Sequence, residues 1–406
     1  MSTGRDAFRP LSRSSRDEID LAKHRREFAA LDEGIYANFG ARGAMARSAL
    51  SAVGETLEML QAAGPASRIG QAVIARETQA LRDTLAALLK VSQARVALVE
   101  NVSQACAAAL WGIDWRAGDQ CLLGVREPPG TWIAARQVAA RFGIELAPFD
   151  AGGADDIAAW RMRLSRALRP TTRLVLLSHV DWITGAAIPL IDLVEIVRAG
   201  PAPDAAVMVD GAQAVGALAV DLSNADIDLY AVAGQKWLGG PDGVAAMIVP
   251  DRGAGRIRPG FIGWRAAVAN SNGDDIDLAR DASRFETGTA AFALLPSLRE
   301  AVQVADGFAP MKFREARIAG STAYLTKGLG DFVDHGLHLL HRGRHGIVSF
   351  TIAGNSPVQV VRKLETHGIV AKAHTYPACT RLCVHYLTLQ SEIDAMLEAI
   401  AEICGA

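Results

Sequence analysis

Lys236 stands in the run Asp226-Ile-Asp-Leu-Tyr-Ala-Val-Ala-Gly-Gln-Lys-Trp-Leu-Gly-Gly-Pro241, where an apolar strand delivers an amine into a glycine-rich turn. A lysine so placed can form a Schiff base with an aldehyde. Upstream, Ala205-Ala-Val-Met-Val-Asp-Gly-Ala-Gln213 is a second apolar run that ends in an acid, at the point where a parallel sheet opens toward its ligand crevice. An amine for an aldehyde and a carboxylate for a pyridinium nitrogen are what pyridoxal phosphate requires of a protein. Taken singly, each fragment has an ordinary reading. Asp-Gly is a common turn, and Lys-Trp can be a lysine stem lying over an aromatic face.

Those residues need strands to carry them, and the chain supplies the pattern. Beyond about residue 64, short apolar runs alternate with helical stretches, the sign of βαβ units and a parallel sheet. Strands are expected at Arg95–Val99, Asp119–Gly124, Ile144–Phe149, Arg173–His179, Ala206–Asp210, Asp228–Ala233 and Val244–Val249. After the first of them, Glu100-Asn-Val-Ser-Gln-Ala opens a helix near Ser103. Backbone N–H groups and the Ser103 hydroxyl there would meet a phosphate, although Asn-Val-Ser also reads as a plain helix cap. A long helix from about Leu295 should lead into a smaller domain with helices near Lys312–Leu329 and Ser356–His367, a strand Gly346–Ile352 and a last helix Glu392–Cys404. The first 30 residues read as a loose, charged, serine-rich arm that becomes helical near Glu18–Ala30. The expected domains are therefore an arm (1–30), a large cofactor-binding domain (31–300) and a small domain (301–406), with an N-terminal segment of the large one contributing to the small one.

Composition is compatible with this plan. A chain of 406 residues, half of them apolar, exceeds what one core usually holds. A net charge of −2 gives no reason to expect nucleic acid or an anionic membrane surface. Without a signal-peptide pattern or an apolar run of about 20 residues, a soluble, cytoplasmic protein is expected. Five scattered cysteines argue against a disulfide framework, and Cys379 and Cys383 have no second pair with which to hold a metal.

With Gln213 three residues after the acid, and Gly-Gly-Pro-Asp-Gly after the lysine, the two runs resemble the signature of class V, cysteine-desulfurase-type enzymes of fold type I. That resemblance implies an α/β fold with a mostly parallel central sheet, flanking helices and a smaller α+β domain. It implies pyridoxal 5'-phosphate as cofactor, with Asp210 on the pyridinium nitrogen, Gln213 on the phenolic oxygen and Lys236 on the aldehyde, later moving the Cα proton. Val102, Ser103 and Gln235 would serve the phosphate, and Thr184 would flank the cofactor. His179 would stand beside the substrate. Thr380-Arg381-Leu-Cys-Val-His-Tyr386 resembles the segment whose arginine grips the substrate carboxylate, a task suited to a planar guanidinium. Asn38 and Lys372 join Arg381 as expected substrate-binding residues. Arg284-Phe-Glu-Thr-Gly-Thr289 resembles the segment that a partner subunit extends toward the phosphate, which implies a homodimer with a shared active site.

Within the class the likeness extends to cystine C–S lyases and isopenicillin N epimerase-like proteins, through Tyr36-Ala-Asn-Phe-Gly40, Leu110-Trp-Gly-Ile-Asp-Trp-Arg-Ala-Gly-Asp119, Gly263-Trp-Arg265 and Gly346-Ile-Val-Ser-Phe-Thr351. It implies β-elimination from a cysteine-derived amino acid. Desulfurases carry a mobile nucleophilic cysteine before the carboxylate arginine, whereas Ala371-Lys-Ala-His-Thr-Tyr-Pro377 holds none. Departures from the pattern are Pro128 at the position that stacks on the cofactor ring, leaving Trp132 or the partner's Trp264 as other covers, and Ala233 and Gln235 in place of a hydroxyl and an imidazole. Epimerase, aminotransferase, desulfurase-like sulfur mobilisation and a non-catalytic cofactor binder stay open as alternatives.

Overall fold

The computed structural model describes residues 15–150, 156–268, 277–341 and 345–406. Seven strands form the large sheet: β1 (Val96–Val99), β2 (Gln120–Gly124), β3 (Glu145–Phe149), β4 (Thr172–Ser178), β5 (Ala206–Asp210), β6 (Leu229–Ala233) and β7 (Ala245–Ile248). Their order across the sheet is β1-β7-β6-β5-β4-β2-β3. All neighbours are parallel except β7, which runs antiparallel to both β1 and β6.

Helices cover both faces, so the central strands are apolar at every position rather than alternating with polar residues. Successive side chains go to opposite faces. Val207, Val209, Tyr230 and Val232 enter one apolar cluster with Leu81, Leu85, Trp160, Leu193 and Leu298. Ala206, Met208, Leu229 and Ala231 enter the other, with Ala105, Leu110, Ala135 and Val138. The edge strand β3 is mostly uncovered, and its Glu145 pairs with Arg169 at 2.7 Å.

Downstream, β8 (Leu337–Leu339), β9 (Ile347–Ile352), β10 (Lys372–Thr375) and β11 (Ala378–Cys383) form an antiparallel sheet in the order β8-β9-β11-β10. The helices Met311–Gly330, Pro357–Thr366 and Gln390–Cys404 accompany it. Leu325, Phe350, Leu382, Val384, Met396 and Ile400 make its own core, and Ala37 from near the N-terminus lies in that core. Ile35–Tyr36 pairs in parallel with Ile369–Val370. The helix Leu295–Phe308 runs through residue 300 and buries Leu298, Ala301 and Val302 in the cluster of the large sheet.

Two expectations need correction, and the direction of β7 agrees with a mostly parallel sheet. The first helix spans Ser15–Arg25 rather than Glu18–Ala30, because Phe28 turns extended (φ −120°, ψ 95°) and drops into the core beside His24. Where the sequence reading laid out the single strand Gly346–Ile352, there are four; β10 is Lys-Ala-His-Thr, a polar edge strand with no apolar period to mark it. Strand β7 reverses direction, which its side chains cannot reveal. The arm's first 14 residues lie outside the described residues. Among the described residues no helix is long and apolar enough to cross a membrane.

Candidate active site

Parallel strands bring their carboxyl ends to one edge, where ligands of open α/β sheets bind. Asp210 ends β5 and is 3% exposed. Burial raises its pKa, while the charge on Lys236 and the N–H of Ala212, at 2.8 Å, act against the rise. Lys236 follows β6 by three residues. Burial lowers its pKa first and foremost; Asp210 opposes that shift and Arg381 adds to it. No ion pair joins Lys236 to Asp210 or to any other described residue, so the two charges act on each other across a gap.

The turn that carries the lysine is clamped. Gly43 donates its N–H to the Gln235 carbonyl at 2.7 Å, and a Cβ on Gly43 would lie 2.0 Å from the Lys236 carbonyl oxygen. Only glycine lets the two backbones approach so closely. Gly40 is confined less tightly, its would-be Cβ 2.8 Å from Cys383 Sγ and 3.5 Å from Arg381 Cζ. Gln213, 4% exposed, donates from Nε2 to the Gly40 carbonyl (2.9 Å) and accepts from Trp237 Nε1 (2.7 Å), which leaves one amide N–H uncommitted.

Arg381 lies on β11 and is 2% exposed. Its Nη1 donates to the Trp182 carbonyl at 2.7 Å, and its buried Nε has no partner among the described residues. Asn38 is bridged to Cys383, and its buried Oδ1 likewise has no partner. Unmatched buried polar atoms are costly unless a ligand meets them. Lys372 stands opposite Arg381 in the β10–β11 register, with its side chain exposed.

His179 pairs through Nδ1 with the Tyr230 hydroxyl at 2.7 Å. Burial, with help from His345, pushes its pKa down to about 3, so the imidazole is neutral. Thr184 sits in a turn held by Asp181, whose Oδ1 accepts from the N–H groups of Ile183 and Thr184. Pro128 precedes the helix Pro129–Phe142, and its carbonyl accepts from Thr131 N at 2.9 Å. Val102 opens the helix Val102–Gly112, but Asn101 rather than Ser103 caps it, accepting from Gln104 N at 2.9 Å. The exposed Ser103 hydroxyl is therefore not committed to the helix end. It lies 3.2 Å from where Gly130 would carry a Cβ. The Gln235 side chain makes no hydrogen bond among the described residues.

Trp264 and Thr289 stand apart from this group. Trp264 is 65% exposed and its Nε1 lies near Gly288, while Thr289 lines a small recess with Leu98, Gln104 and Arg265. Glu286 fixes this segment from beneath. It is buried, accepts the N–H of Leu98 at 2.8 Å, and forms ion pairs with Arg82 (2.5 Å) and Arg265.

Sequence reasoning missed Glu127. Its carboxyl takes the N–H and hydroxyl of Ser178 at 2.7 and 2.6 Å. Burial, reinforced by the charge on Asp210, pushes its pKa up to about 8, so it holds a proton at neutral pH. The available signal was an acid three residues beyond the end of β2 at Gly124, next to Pro128. Trp132, weighed as a ring cover, donates its indole N–H to the Gly124 carbonyl at 3.1 Å and faces a neighbouring cavity.

This arrangement fits pyridoxal phosphate. It offers a carboxylate and an amine facing across a gap, a free amide N–H beside them, and the N-terminus of the helix Val102–Gly112 at the same sheet edge. The unmatched Arg381 Nε and Asn38 Oδ1 suit an amino-acid substrate.

Comparison with known proteins agrees. The family model "Aminotransferase class-V" matches residues 46–397. Two solved structures of the cystine C–S lyase C-DES superpose with TM-scores of 0.86. One, a mutant with glycine covalently linked to the PLP cofactor, is 32% identical and covers 93% of this chain and 99% of its own. The other is a complex with the reaction product cysteine persulfide, 33% identical, covering 92% and 99%. The isopenicillin N epimerase of Streptomyces clavuligerus is 34% identical over 246 residues, so the match spans only 60% of either chain. A probable cysteine desulfurase of Methanothermobacter thermautotrophicus is 25% identical over 353 residues, 81% of this chain and 84% of its own.

Proposed function

The chain belongs to the class V aminotransferase family, and from that premise we propose that it is a pyridoxal-phosphate-dependent carbon–sulfur β-lyase acting on a cysteine-derived amino acid. The reaction would take R–S–CH2–CH(NH3+)–COO− and water to pyruvate, ammonium and the thiol R–SH, or a persulfide where R–S is a disulfide. Bound between Asp210 and Lys236, pyridoxal phosphate would supply the sink for the electron pair left at Cα.

The remaining steps fall to the chain's own side chains. Arg381 has Nη1 fixed by Trp182, so its Nε and Nη2 edge is left to take the substrate carboxylate in a fork. Asn38 Oδ1 offers an acceptor beside it. Burial shifts the Lys236 amine toward its unprotonated form, the form that would bond the cofactor aldehyde and then receive the Cα proton. When the Cβ–S bond breaks, sulfur leaves with the electron pair and takes up a proton. His179, neutral and held by Tyr230, can bond substrate without adding charge.

One observation favours elimination over desulfuration. Cys379 is fully buried in a strand, opposite His374, and the hairpin turns through only Tyr376 and Pro377 between Thr375 and Ala378. Burial raises its thiol pKa. A thiol held this way is neither ionised nor free to travel to substrate sulfur. Epimerisation or transamination would share the first proton transfer, and the likeness to an epimerase keeps them as the second reading. A homodimer is part of the proposal: the exposed Trp264 and Thr289, braced by Glu286, are set to act on a partner's cofactor rather than on their own.

The test is pyruvate release from L-cystine by the purified, cofactor-loaded protein, with Lys236→Ala as blank. Release that depends on Lys236 supports the lyase. Loss of optical activity, or conversion of the cofactor to its amine form, without pyruvate would move the second reading ahead.

A further inference from the structure

A cavity of about 460 Å3 opens between the first turns of the helix Pro129–Phe142 and the tip of the β10–β11 hairpin. That is the size of a small-molecule site. It shares walls with the active site. Trp182, whose carbonyl positions Arg381, lines it, and so does Glu127, which lies within electrostatic reach of Asp210. Pro128, at the expected ring-stacking position, lies between two lining residues, Glu127 and Pro129.

The walls are flat and aromatic: Trp132, Trp182 and Tyr376, with Ile133 and Pro148. Ile133 and Tyr376 are 67% and 86% exposed, so both offer apolar surface at the rim of the cavity. The charges are unequal. Arg126 is matched by Asp181 (2.5 Å) and Asp150 (2.9 Å). Arg136, one helical turn beyond Trp132 and 5.9 Å over its ring, makes no ion pair among the described residues. Glu127, the acid of the wall, is buried with both oxygens taken by Ser178, so it is not turned to meet a cation in the cavity. The ammonium of a second amino-acid unit, such as the far half of cystine, would find no partner here.

We propose that this cavity is the subsite for the sulfur substituent of the substrate, and that it takes a flat aromatic group bearing an anion at its far end, held between the tryptophans and met by Arg136. The assignment rests on the lyase reading for its orientation, but binding can be tested apart from turnover. The probe is 3-(4-carboxybenzylthio)propanoate, which keeps a carboxylate for Arg381 and a ring for the cavity but has no amine and cannot react; 3-(methylthio)propanoate is the reference.

By calorimetry on the cofactor-loaded protein, the aryl probe should bind at least about tenfold more tightly than the reference. Ile133→Trp, at an exposed position, should lower the ratio toward one by narrowing the cavity. Arg136→Ala should remove roughly a threefold share of it, which the uncharged benzyl analogue would never have had. Equal affinity for aryl probe and reference, or a ratio untouched by both substitutions, overturns the subsite. An aryl preference in a protein that releases pyruvate neither from L-cystine nor from S-(4-carboxybenzyl)-L-cysteine would leave the subsite standing and remove the lyase; pyruvate release without the preference would do the reverse.

Discussion

Asp210, Gln213 and Arg381 are each at most 4% exposed and each bonded to the main chain, whereas Ile133, Arg136 and Tyr376 stand nearby on a helix face and a hairpin tip that solvent reaches. The first group is fixed before any ligand arrives, as electrostatic catalysis requires. The second can change its side chains with little cost to the fold. Reaction type and substituent choice are thus written in separate places, and substitutions should separate them.

Lys236→Ala should have the largest effect. The visible absorbance of the lysine-bound cofactor should vanish and pyruvate release fall at least about a thousandfold. Substantial remaining turnover would remove the lysine from the chemistry. Arg381→Ala should raise KM by about a hundredfold with a smaller change in kcat, since a charge-assisted fork is lost; an unchanged KM would end its carboxylate role.

Two buried groups make the fixed region sensitive to pH in opposite directions. The native state keeps the Glu127 proton up to about pH 8, while the unfolded chain loses it near 4.5. Between those values the native state binds more protons, so stability falls as pH rises. Urea melts should show this loss, amounting to a few kcal/mol, reduced in Glu127→Gln, whose amide can keep both Ser178 bonds. His385 is buried, stacked on Phe39, and depressed by burial to about 3. Its contribution is present above the unfolded value of 6.5 and is lost as pH falls toward 3. At pH 5 that loss is about 2 kcal/mol, and His385→Phe should lessen it. The smallest effect belongs to the rim: Ile133→Trp should change stability by no more than about 0.5 kcal/mol. A larger drop would mean that the rim is part of the core, and the contrast would fail.

The large sheet was legible because strands covered on both faces are unbroken apolar runs, and Asp210 and Lys236 because each follows such a run. In the small sheet only β9 was legible, since β10 is polar and β8 has three residues. Glu127 escaped because an isolated acid carries no period, and its raised pKa depends on burial that only the fold supplies. Trp132 and Arg136 were readable as residues, but their facing Tyr376 across a cavity joins positions more than 230 apart in the chain.

The family match begins at residue 46, just beyond the segment Ile35–Gly43. That segment bonds at one end to the stretch before β10, through Ile35 N to the Gly368 carbonyl and Ala37 N to the Val370 carbonyl, and to the end of β11, through Cys383 N to the Ala37 carbonyl; at its other end it bonds to the Gln235 carbonyl through Gly43. It acts as a spacer that sets how far the lysine turn stands from the arginine strand. A protein trimmed to the matched region would keep Lys236, Asp210 and Arg381 and lose the ruler between them. Its failure to turn over would then report a mis-set distance as well as the loss of Asn38, and Asn38→Ala in the full chain would tell the two apart.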